Sequence, residues 1–82
     1  MDATKLSPKQ ISILGFIRGF IALKHYAPTY REIRDGLQIS STSVVEYHLR
    51  KLERAGQIGR SYAVARGLWL VETNENLEAV NA

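Results

Sequence analysis

Two capping boxes near the start of this 82-residue chain leave little freedom in how its first half folds. In Ser7-Pro8-Lys9-Gln10, the serine can accept from the amide three residues on, proline suits the first helical position, and Gln10 reaches back to the Ser7 amide. Thr29-Tyr30-Arg31-Glu32 repeats the arrangement. A helix therefore begins at each. The first is expected to run to about Lys24, with Leu6 stapled onto Ile11 and with Ile13, Leu14, Ile17, Phe20 and Ile21 facing the core. A Tyr26-Ala27-Pro28 turn follows. The second helix is short: Ile33 and Leu37, four apart, face inward, and Gly36 to Ser40 form the turn before a third cap at Ser41.

From Ser41 to Gly56 the residues divide into two faces. At about 100° per residue, Val45, Leu49, Leu52 and, nearer the edge, Ala55 share one side, while Ser43, Glu46, Tyr47, Arg50 and Arg54 share the other. One face packs and the other is open to a partner. Short hydroxyls, an acceptor, a phenol and two guanidiniums are the groups that read base edges and grip phosphates in a major groove. Gly56 suits the left-handed position past the helix terminus. His48 lies at the edge of the packed face, where core packing is the simpler role.

Beyond Gly56 the period changes. Gln57 to Arg60 and Gly67 to Val71 are short extended segments around a loop from Ser61 to Arg66, a β-hairpin in which Trp69 is expected to close over the helices as core. Helix, short helix, tight turn, helix and hairpin is the order of a winged helix-turn-helix, a mostly α fold with a small β-hairpin. Residues 1–71 make that domain, and residues 72–82 read as a short, frayed tail.

Composition narrows the chemistry. There is no cysteine, and His25 and His48 are too few and too far apart for a metal cluster, so neither metal nor any other cofactor is expected. The longest apolar run, Ile11 to Leu23, has 13 residues and contains Arg18, short of the roughly 20 that span a bilayer. With Asp2 so early there is no signal peptide pattern, and a cytoplasmic location follows as the expectation. Residues 1–71 carry all 11 Lys and Arg against five acids, a net +6, whereas residues 72–82 carry three Glu and no base. A basic domain with an acidic tail favours polyanionic partners.

The residues sharpen this further. Ala27-Pro28-Thr29-Tyr30-Arg31-Glu32-Ile33, Ile39-Ser40-Ser41-Thr42-Ser43-Val44, His48-Leu49 and Leu52-Glu53-Arg54-Ala55-Gly56 follow one another in order, with Leu6 to Gln10 before them and Arg66-Gly67 after. This series closely resembles the DNA-binding domain of the LexA family of bacterial repressors over about residues 6–71. The resemblance implies a repressor that reads its operator with the start and exposed face of the third helix, hence Ser41, Thr42, Ser43, Val44, Glu46 and Tyr47. Periodicity reaches Ser43, Glu46 and Tyr47 independently. Glu46 is suited to a cytosine amino group, Ser43 to several base edges and Val44 to a thymine methyl. Arg50, Lys51, Arg54, Arg60 and Arg66 read as phosphate grips, and the capped start at Thr29, Tyr30 and Arg31 offers amides to the backbone.

Two departures accompany the resemblance. Gln38 stands where such repressors usually have a glycine after the second helix. They also usually carry a second domain that dimerises and cuts its own linker with a serine and lysine pair; no segment here houses one, so self-cleavage and enzymatic activity are not expected. A single module then needs help to occupy a two-half-site operator. Phe16 and Leu23, beside Gly15, Gly19 and Ala22, are the expected surface for a second copy or a protein partner. No small-molecule ligand is indicated. The rival reading is an adaptor or inhibitor whose basic face meets an acidic protein, against which the polar groove face of the third helix argues.

Overall fold

A computed structural model describes residues 6–71, in the order α1 (Pro8–Lys24), α2 (Tyr30–Leu37), α3 (Thr42–Arg54), β1 (Ile58–Arg60) and β2 (Leu68–Leu70). The acidic tail expected at 72–82 lies outside the described residues.

Each helix starts where its cap predicts. Ser7 accepts from the Gln10 amide at 3.2 Å and its own amide donates to Gln10 Oε1 at 3.1 Å. Thr29 and Glu32 make the same reciprocal pair at 3.1 and 2.8 Å, and Ser41 Oγ accepts from Val44 at 3.3 Å. The staple is only half made. Leu6 packs against the core, but Ile11 is 57% exposed.

The three helices enclose one core in which Ile13, Leu14 and Ile17 of α1 meet Ile33 of α2 and Val45, Leu49 and Leu52 of α3. Ile39 and Ala27 close it from the connecting turns, and Ile58 and Leu68 close it from the hairpin. Phe20 and Ile21 are only partly buried, at the rim. No helix among the described residues is long and apolar enough to cross a membrane.

The turn between α2 and α3 is later and tighter than the Gly36 to Ser40 expected. Gly36 and Leu37 remain helical, and Gln38 takes the left-handed conformation, φ 55°. Gly36 is needed for contact rather than for the turn, since a Cβ there would overlap the ring of Phe16. That contact also corrects the role expected of Phe16: it packs against α2 and the core instead of pointing outward beside Leu23, which is 74% exposed.

In the antiparallel hairpin Ile58 faces Leu70, Gly59 faces Trp69 and Arg60 faces Leu68. Strand alternation sends Ile58, Arg60, Leu68 and Leu70 toward the helices and Gly59 and Trp69 away. Trp69 is therefore not core. The residue is 50% exposed, and its indole lies across Gly59, where any Cβ would overlap the ring.

Candidate nucleic-acid interface

Three buried residues, Val45, Leu49 and Leu52, anchor α3 along one side and leave the other outward. On that outer side Tyr30, Thr42, Ser43, Glu46, Tyr47 and Arg50 line one open groove. Five of these are residues that the sequence placed on the open face or at the start of the third helix. Ser43 is exposed, and Tyr47 is 52% exposed with the Lys51 ammonium 5.4 Å from its ring centroid. Two of the expected readers are more committed: the Ser41 hydroxyl is the helix cap, and Val44 is partly buried against the core.

Glu46 is engaged from two sides. Arg50, one turn along α3, donates to Oε2 at 3.3 Å, and Arg60 from β1 donates to Oε1 at 2.8 Å and Oε2 at 3.4 Å. The Arg60 guanidinium holds the carboxyl below its ordinary value, so Glu46 stays ionised and acts as an acceptor.

Arg60 corrects the sequence expectation most sharply. Its side chain is 2% exposed, and it also donates to Glu53 Oε1 at 3.2 and 3.1 Å and to Tyr30 Oη at 2.6 Å. Burial opposes its charge, but the bonds to Glu46 and Glu53 more than offset this and keep it protonated. An arginine so enclosed does not grip a phosphate. The Tyr30 hydroxyl is likewise taken up, and burial pushes its titration upward.

Arg66 is also diverted, though less completely. It forks onto Glu32 at 2.8 and 3.1 Å, donates to the Ala27 carbonyl at 2.6 Å and lies 4.5 Å from the Tyr26 ring centroid. It ties the hairpin loop to the start of α2. The hydrogen bonds from Arg66 and from the Thr29 amide pull the Glu32 carboxyl down to about 2.

The expected backbone clamp at α2 divides in the same way. The Thr29 amide is spent in the capping box, while the Tyr30 and Arg31 amides of the first turn have no protein partner among the described residues. Arg31, Lys51 and Arg54 are exposed and make no ion pair among the described residues. None of them lines the groove itself, but Arg31 and Lys51 adjoin its Tyr30 and Arg50 in sequence and Arg54 lies one turn beyond Arg50 on α3.

Sequence reasoning missed this internal ion cluster, although two signals pointed to it. Glu46 and Glu53 are seven residues apart, so they lie on one face of α3 two turns apart. Arg60 shares its strand face with Ile58, the side that must turn inward.

The description "LexA DNA binding domain" belongs to a family model that matches residues 3–67. Over 67 residues the chain is 55% identical to the LexA repressor of Roseiflexus sp. and 48% identical to LexA repressor 1 of Geobacter sulfurreducens, in each case 82% of this chain. It is 38% identical to the LexA repressor of Bacillus licheniformis over 74 residues, 90% of this chain. The aligned part covers 31%, 33% and 36% of those relatives, so the chain spans about a third of the length of the proteins it matches. With its winged helix-turn-helix order and its open polar face on α3, this chain belongs to the LexA DNA-binding domain family.

Proposed function

We propose that the chain is a sequence-specific duplex-DNA-binding transcriptional regulator, a cytoplasmic repressor that occludes a promoter without catalysis. α3 enters the major groove and the hairpin lies beside the backbone. What carries the reading is the outer face of α3, which offers Ser43, Glu46 and Tyr47 to base edges on a helix that three buried residues hold in place. Glu46 accepts from a cytosine amino group, and Ser43 bonds neighbouring edges. Thr42 and the exposed part of Val44 border the contact, and Ser41 serves mainly as its cap. Arg31, Arg50, Lys51 and Arg54, with the amides of Tyr30 and Arg31, take phosphates. Arg66 contributes by holding the wing in place. The operator has two half-sites, filled by two copies that meet near Leu23.

Selection from a random duplex library at one fixed salt concentration, followed by affinities across a salt series, tests this. A defined motif is expected, with Ser43→Ala and Glu46→Gln each relaxing the preference at its own base pairs. Arg54→Ala is expected to weaken all sequences alike and to reduce the log–log salt slope by about 0.9. Recovery of no motif, with weak binding that vanishes at moderate salt, would overturn the reading.

A further inference from the structure

We propose that Arg60 is a specificity-determining residue that never touches DNA: it fixes the direction in which the Glu46 carboxylate faces the base edges. The inference rests on the DNA-reading role of α3. Its starting point is a count of donors. A guanidinium has five N–H groups, and those of Arg60 serve five bonds: two to Glu46, two to Glu53 and one to Tyr30. None is left for a phosphate, and at 2% exposure none reaches solvent.

What the fork holds is a reading group. Alone on a helix, a glutamate carboxylate samples several rotamers, and fixing one on binding costs entropy that weakens discrimination. Here the carboxylate is held before DNA arrives. It accepts three bonds from Arg50 and Arg60, and the Tyr30 hydroxyl, which itself accepts from Arg60, adds a further hold on it. The bond from the exposed Arg50, at 3.3 Å, is the one that an incoming amino group replaces. Glu53 and Tyr30 occupy the remaining donors, so the fork cannot rotate away from Glu46. The same pairing offsets the Glu46 charge beside the phosphates.

The hairpin thus acts on base reading from behind the helix. A lysine at position 60 would supply the charge but not the planar fork that engages three partners.

The test compares binding motifs at one salt concentration, and affinities across a salt series, for the wild type, Glu46→Gln, Arg60→Met and Arg60→Lys, with thermal melting to establish that each is folded. A good base contact is worth roughly 5- to 160-fold in discrimination. Both Arg60 variants are expected to lose that preference, to about 2-fold or less, at the base pair where Glu46→Gln loses it. Preferences elsewhere and the salt slope should hold, and Arg60→Lys combined with Glu46→Gln should lose nothing further. If Arg60→Met does not fold, Arg60→Lys carries the comparison.

A purely structural or phosphate role would instead weaken every sequence equally, the phosphate role with a slope reduced by about 0.9, and either result overturns the proposal. So does an unchanged motif in a folded Arg60 variant. In those cases wild-type selectivity survives and only the positioning role falls, whereas a wild type that selects no motif overturns the DNA-reading role as well.

Discussion

At His48 the protonation of a ring on α3 is tied to the cap of α1. Its Nδ1 lies 3.2 Å from Gln10 Nε2, and because an amide nitrogen only donates, the ring must be neutral and accept at Nδ1. Gln10 Oε1 is already used by the Ser7 amide, so turning the Gln10 amide to suit an imidazolium would break the capping box. Burial, and then the nearby Lys9 charge, hold the imidazole below its ordinary value of 6.5. The unfolded chain therefore takes up the proton first as pH falls. Stability that is fully present above pH 6.5 drains away below it, until the folded pKa is passed. His48→Gln, which cannot titrate, is expected to flatten the melting temperature between pH 7 and pH 5. A profile as steep as that of the wild type would remove His48 as the source. The sequence suggested core packing for His48, but the ring is only partly buried and lies outside the core cluster, and its link to Gln10 spans 38 positions, so no local pattern carries it.

The two turns that end α2 and α3 use the same device with different residues. At Gly56, φ is 77°, and the Gly56 and Gln57 amides return to the carbonyls of Glu53 and Leu52. At Gln38, φ is 55°, and the Gln38 and Ile39 amides return to Asp35 and Arg34. Glycine enters this conformation at no steric cost, whereas a residue with a Cβ is penalised by roughly 1–2 kcal/mol. Gln38→Gly is therefore expected to stabilise the domain by about 0.5–1 kcal/mol after the greater freedom of glycine in the unfolded chain is deducted. Urea unfolding measures it, and an unchanged or lower midpoint would mean that the strain at Gln38 does not exceed the entropy cost of glycine. Capping boxes made the helix starts legible because they are local. The exact turn was not, because Gln38 lacks the glycine signal, while Gly36 resembles a turn residue and serves the Phe16 ring instead.

Across the whole molecule the helices commit most of their apolar surface to one core, and Leu23 is left 74% exposed on α1. If two copies meet there on an operator, Leu23→Glu should weaken filling of a two-half-site duplex while leaving affinity for an isolated half-site unchanged. Mass and binding measured together decide it: no change in either would end the role of Leu23 in pairing. The helices, their order, the hairpin and the two faces of α3 were determined by the sequence alone, since caps, periodicity and strand alternation act over a few residues. Which cations face outward was decided only by tertiary structure. Arg60 and Arg66 have the same chemistry as Arg54, and they differ because the fold sets acceptors from α2 and α3 against them. A buried charge persists where partners converge on it, and that convergence exists only once the chain has folded.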